Sequence, residues 1–311
     1  MEDGINSLVD FIQDLFPLVQ DQQPMPTSPL QRLVASDLDH YLPFRNLAPT
    51  RCAVTSDSGP FHPMNVTTPG AFASCVISRA LTFNTPAVKD QGNPTLFRDQ
   101  EEWDAFKARR DFHEDDPTSL AYFFNPTCYG TAQYTRWKGM VHVSVYYAEE
   151  ISWQELRQKH APKPIPFVAF YRWTKQSVPR LDVKTGKQRQ QSRLPLVGKL
   201  TAFLLAADMS YTGLVEPPTA EEVGRLIHQI GLGSRSGMVQ TRLIGSERAS
   251  QAEVVDAFVH LVAELRERVD TVTQRRIGLD EIMVEHLLCK FQRVRRDLSS
   301  SKGKKVCRID P

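Results

Sequence analysis

Paired cysteines are missing from this chain. Its five cysteines, Cys52, Cys75, Cys128, Cys289 and Cys307, are odd in number and none forms a CxxC pair. That argues against a disulfide framework or a zinc ribbon and for a reducing compartment. No stretch approaches the roughly 20 consecutive apolar residues that a membrane-spanning helix requires, and the longest candidate, Leu200 to Ala207, is core-sized. Net charge is small as well, because 38 basic side chains face 36 acidic ones and leave +2. Global electrostatics therefore does not mark a polyanion binder. A Walker A loop and a GxGxxG turn are both absent. The first residues carry Glu2 and Asp3 with periodic apolar positions, not a basic region followed by an apolar block. The expectation is an intracellular protein with no secretory signal and no membrane segment.

What is present is a chain of 311 residues, 41% of them apolar, long enough to bury a core unaided. Its ends are oppositely charged. Residues 1–31 hold Glu2, Asp3, Asp10, Asp14 and Asp21 with no Lys or Arg, whereas Lys290 to Arg308 is strongly basic with Asp297 alone against it.

Periodicity divides the chain. Ile5, Leu8, Ile12 and Leu15 share one face of an amphipathic helix over 1–19, with Pro17 bending or ending it. Residues 20–29 read as a linker, and Ser28 with Pro29 as the start of a second helix bearing Leu30, Leu33, Val34 and Leu38 inward. Helices are expected over Ala71–Leu81 and Gln100–Arg110, the latter burying Trp103 and Phe106. Val141, Val143, Val145 and Tyr147 alternate with more polar residues as in a strand, and Pro166–Trp173 reads as a second strand. Ser152 with Glu155 forms a capping-box pattern for a helix to about His160. Leu194–Leu205 fits a central strand or a buried helix equally well. Beyond Pro217 the pattern becomes helical. The capping boxes Thr219/Glu222 and Ser250/Glu253 each open a helix, GLGSRSG breaks the first, and a last helix spans Asp280–Leu298. The fold class expected is α+β: a body over 30–215 with a small mixed or antiparallel sheet flanked by helices, a helical unit over 216–298, and a basic tail over 299–311.

Chemistry-bearing motifs are sparse. His113 and Asp115 have HxD spacing, and His160, with Arg172 twelve residues on, could supply a third ligand and a carboxylate anchor. In those four residues the chain resembles the 2-oxoglutarate oxygenase family, which implies iron held by His113, Asp115 and His160. A solvated acidic turn is the competing reading, since HxD arises readily by chance. Asp57, Ser58 and His62 suit a side-chain-stabilised turn better than a nucleophilic triad. Asp37, Asp39 and His40 supply too few ligands for a metal site, and Cys75 reads as a small buried hydrophobe. The outline of helix, turn, helix over Thr219–Thr241 reads as having a connection longer than the three or four residues of a DNA-reading motif.

Two clusters, Tyr134/Arg136/Trp137/Lys138 and FYRWTK at Phe170–Lys175, combine aromatic and basic side chains as single-strand binding surfaces do. Burial of Trp173 in the core is the favoured alternative, with Arg172 keeping its head in water. The contact surface is then the basic loop carrying Lys184, Lys187, Arg189 and Arg193, together with Arg172 and the tail residues Lys302, Lys304 and Lys305. The tail's composition suits a polyanion or a nuclear import receptor. The reading is an intracellular binding or scaffolding protein whose partner is nucleic acid or another protein, with a metal-dependent oxygenase as the competing class. No cofactor is identified from the residues alone.

Overall fold

Helix α1 (Glu2–Leu15) buries Ile5, Leu8, Phe11, Ile12 and Leu15, the stripe its spacing dictates, and Pro17 turns the chain into a short 3-10 segment, Phe16–Val19. The computed structural model describes residues 2–20, 25–90, 92–113, 115–124, 143–181, 186–231 and 233–303. These are mostly helical, with a small two-stranded antiparallel sheet. They separate into two units, residues 1–48 with 219–311, and residues 49–218. No helix among the described residues is long and apolar enough to cross a membrane.

In the first unit, α2 (Pro29–Ser36) opens on a capping box in which the Gln31 amide donates to Ser28 Oγ at 3.0 Å. Asp37 ends α2 and caps α3 (Leu38–Tyr41) by accepting from the His40 amide. One residue thereby stops one helix and starts the next.

The second unit runs through α4 (Pro49–Thr55), α5 (Ala71–Ala80), α6 (Pro86–Lys89), α7 (Gln100–Arg109) and α8 (Pro117–Phe123). It continues in α9 (Val143–Ala148), α10 (Glu150–His160), α11 (Phe167–Thr174), strands β1 (Ser177–Leu181) and β2 (Gln188–Ser192), and α12 (Lys199–Ser210). Every residue of α5 is buried, and α9, α10 and α12 pack around it. Phe72 of α5 stacks on Trp153 at 5.1 Å between ring centroids and meets the edge of Trp173 at 5.5 Å. Phe97, Trp103, Phe106 and Phe123 form a second aromatic cluster. Ile165 and Val215 make an isolated parallel bridge that joins the entry of α11 to the chain leaving α12.

Two strands expected from the sequence are helices. Over 143–148 the buried positions are Val143 and Tyr146, three apart, and the alternating valines yield to packing of α9 on α5. Val141 and His142 lie outside the described residues. Over 167–174 the buried positions are Phe167, Phe170, Tyr171 and Thr174, with Trp173 beside them, while Ala169 is only half-buried. This apolar run satisfies a period of 3.6 as well as a period of two, and burial on several sides selects the helix. Phe170 is interior, so it does not share an outer face with Arg172, which is exposed. The sheet forms instead from β1, just ahead of the segment read as a basic loop, and β2, within it, and 199–210 is the buried helix of the two alternatives. Helix α10 starts at Glu150, ahead of Ser152, so Ser152 and Glu155 make no capping box there.

The first unit resumes with α13 (Ala220–Ile230), α14 (Ser234–Gln240), α15 (Gln251–Arg268), α16 (Thr271–Ile277) and α17 (Glu281–Gly303). Both capping boxes form, at Thr219/Glu222 and Ser250/Glu253. Gly231 ends α13 in the left-handed region at φ 82°. Helix α13 packs on α15 and α14 on α17, while α1 lies against α15 and α17 through contacts such as Phe11 with Phe291, 5.3 Å apart and edge-on. Buried Lys290 on α17 donates to the Asp39 and His40 carbonyls, each at 2.8 Å, and so supports the end of α3.

Candidate functional site

The sequence between Ala161 and Ala207 carries nine Lys and Arg residues and one acidic residue, Asp182. From this stretch α11 delivers the chain into a β-ribbon with five paired positions, Ser177↔Ser192 through Leu181↔Gln188. At about 3.4 Å per residue the ribbon is roughly 17 Å long. All of β2 is exposed, and β1 alternates between exposed and half-buried positions. Val178 and Arg180 therefore form the face nearer the body, while Ser177, Pro179 and Leu181 point away.

The register sets Arg180 opposite Arg189, a like-charge pair that disfavours the sheet by itself. Glu149 offsets it from the body. Its carboxylate receives Arg180 at 2.6 Å and Arg193 at 2.5 Å, and Glu149 is only 7% exposed. Arg180 also donates to the carbonyls of Ser192 and Arg193, which ties β1 to the end of β2. Arg193 lies over Trp173, 4.8 Å from its ring, so an indole, a guanidinium and a carboxylate are layered at the ribbon's base. Beyond this base Lys187 and Arg189 are exposed, as is Arg172 at the end of α11, and Leu181 is 64% exposed.

Trp173 is 7% exposed and belongs to the aromatic cluster, so it offers no stacking platform. Arg193, expected at a contact surface, is instead committed to Glu149 and Trp173. Lys184, Lys304, Lys305 and the cluster Tyr134/Arg136/Trp137/Lys138 lie outside the described residues, and Lys302 is described only as backbone within the last turn of α17. His113 and Asp115 are exposed beyond the end of α7, and His160 is half-buried at the end of α10. Among the described residues no three His, Cys, Asp or Glu side chains gather as metal ligands would, so the structure does not bring His113, Asp115 and His160 into such a group. Half-buried His62 lies 3.5 Å from exposed Asp57. The connection between α13 and α14 is three residues, 231–233, shorter than the sequence suggested. Helix α14 buries Ser234, Gly237 and Met238, and Arg235 donates to the carbonyls of His228 and Ala249.

A fully buried charged group also escaped the sequence reading. Asp208 on α12 is fully buried and binds Arg51, at 3.2 Å, and Arg79, both 3% exposed. The guanidinium of Arg51 lies between the rings of Phe61 and Tyr211, and that of Arg79 over Phe83. Its signal is a lone charge within each apolar run, Arg79 in ASCVISRALTF and Asp208 in FLLAADMS. The group is closed to solvent and joins α4, α5 and α12. Burial pushes the neighbouring Cys75 thiol well up, as befits a core residue and not a nucleophile. In comparisons with known proteins, no family model, curated protein or solved structure matches this chain.

Proposed function

We propose that this protein is a binding module that meets nucleic acid through the β1–β2 ribbon. The observation that carries this reading is a basic two-stranded ribbon whose second strand is exposed at every residue, pinned at its base by Glu149. A two-stranded ribbon fits the duplex major groove, which is about 12 Å wide. Glutamine, which supplies three of the four residues of QRQQ at 188–191, is a side chain able to pair with adenine edges there. Lys187, Arg189 and Arg172 would follow phosphates, joined by Lys184 from the same hairpin and by Lys302, Lys304 and Lys305 from the tail. Burial of Trp173 favours reading by charge and ribbon shape over base stacking at that position. An intracellular location, and a nuclear one through the basic tail, accords with this role.

The test is fluorescence anisotropy with labelled single-stranded and duplex oligonucleotides at several salt concentrations. With the seven named cations engaged, affinity for duplex should fall by roughly 10³-fold or more between 50 and 200 mM salt. Alanine at Lys184, Lys187 and Arg189 together should reduce both the affinity and the salt slope. Binding that ignores salt, or is unchanged in the triple variant, would remove the proposal.

A further inference from the structure

The register of the ribbon sorts its side chains onto two faces. Residues directly opposite each other in an antiparallel pair project to the same side. Val178 and Arg180 therefore share a face with Gln191 and Arg189, and Ser177, Pro179 and Leu181 share the other with Ser192, Gln190 and Gln188. Two observations fix which face is outward. Val178 and Arg180 are the half-buried positions of β1, and Arg180 reaches the Glu149 carboxylate on the body. The cationic pair Arg180/Arg189 thus belongs to the body-side face, and the outward face carries no charged side chain at any of its six paired positions.

Those six residues are all exposed, and Leu181 keeps 64% of its surface in solvent. Leu181 stands opposite Gln188 and Pro179 opposite Gln190, so each glutamine amide lies beside an apolar side chain. A glutamine amide donates and accepts at once, which matches the N6 donor and N7 acceptor of adenine in the major groove. Guanine offers two acceptors there and suits Arg or Lys, which this face lacks. Thymine adds a C5-methyl group, an apolar partner of the kind Leu181 requires. Gln188 and Gln190 are separated by about 7 Å along the strand. They would therefore meet base pairs within one or two steps of each other, at about 3.4 Å per step.

We propose that the outward face reads A·T base pairs in the major groove of duplex DNA, with Gln188 and Gln190 on adenine edges and Leu181 against a thymine methyl group. The inference rests on the reading of the ribbon as the nucleic-acid surface. Lys187, Arg189 and Arg172 then set affinity through phosphates, and the uncharged outward face sets sequence preference.

The probe is a set of labelled 16-base-pair duplexes that differ only in six central pairs, which are A·T in mixed order, G·C, or inosine·cytosine. Binding to the full-length protein is read by anisotropy at 50 mM salt. The A·T centre should bind about tenfold more tightly than the G·C centre, or better. Inosine·cytosine has the minor groove of A·T and the major groove of G·C, so it should behave as G·C. Deoxyuridine in place of thymine removes only the methyl group; it should weaken the wild type severalfold and leave Leu181→Ala unaffected. Gln188→Ala combined with Gln190→Ala should abolish the A·T preference, whereas Gln191→Ala, the same side chain on the other face, should keep it. Equal binding of the A·T and G·C centres with a steep salt dependence would overturn the base assignment and leave the ribbon as a phosphate-binding surface. Absence of duplex binding would overturn both. Inosine·cytosine bound as tightly as A·T, or a preference that survives in the double variant, would also sink the assignment.

Discussion

The Glu150 carboxylate accepts a hydrogen bond from the Ala73 amide at 3.0 Å, so the buried helix α5 is capped by a residue 77 positions away. Gly70 at the N-cap position has no side chain with which to do this.

Burial raises the Glu150 carboxyl above the usual glutamate range, against the opposing pull of the Ala73 and Phe72 amides. A carboxyl raised in the folded state binds protons there that the unfolded chain has released, so its contribution to stability declines as pH rises from about 4.5. Glu150→Gln keeps the acceptor oxygen and removes the titration. Urea unfolding from pH 4.5 to 7.5 should show a smaller decline with pH in this variant than in the wild type.

His40 behaves oppositely. Burial first, then the Arg293 and Lys290 charges, hold it down at about 4. The Asp37 and Asp297 carboxylates nearby pull the other way but are outweighed. Its contribution is therefore complete above about 6.5 and is lost as pH falls from there to about 4. NMR titration should find the His40 ring neutral at pH 5.5, and His40→Gln should flatten the stability profile between pH 6.5 and 4.

Removing the Glu149 charge should unseat the ribbon. Glu149→Gln leaves Arg180 and Arg193 without the carboxylate they share and Arg180 facing Arg189. A loss of about 3 kcal/mol is expected, with faster amide exchange over 177–192 than elsewhere in the same unit. Uniform exchange across that unit would refute the anchoring role.

Gly4 sets how closely α1 approaches the rest of its unit. A Cβ there would lie 1.8 Å from the Thr241 carbonyl oxygen, a backbone atom that cannot swing aside. Gly4→Ala should cost roughly 1–3 kcal/mol, and proteolysis should become faster within residues 2–15 before it does elsewhere.

Helix ends were legible in the sequence because their chemistry is local. Ser28, Thr219 and Ser250 each start a helix as the sequence predicts and form a capping box, whereas Ser152, with Glu155 at the same spacing, does not, because α10 begins at Glu150. The face of α1 was equally plain, since Ile5, Leu8, Ile12 and Leu15 admit one period. Val143–Tyr147 and Phe167–Trp173 misled because short apolar runs satisfy two periods, and the choice between them rests on what surrounds the segment. The ribbon was missed for the converse reason. QRQQS has little strand character, and its pairing is enforced by register and by Glu149, neither of which is local. The contact between Asp208 and two distant arginines left only the oddity of lone charges in apolar runs.

Phe11 packs on Phe291 although 280 residues separate them, and an entire second unit is threaded between. During synthesis α1 emerges before residues 49–218 and meets its seat on α17 only after them, so its apolar stripe must wait through the translation of that unit. Cells in which that wait is prolonged should hold the nascent chain on chaperones at α1.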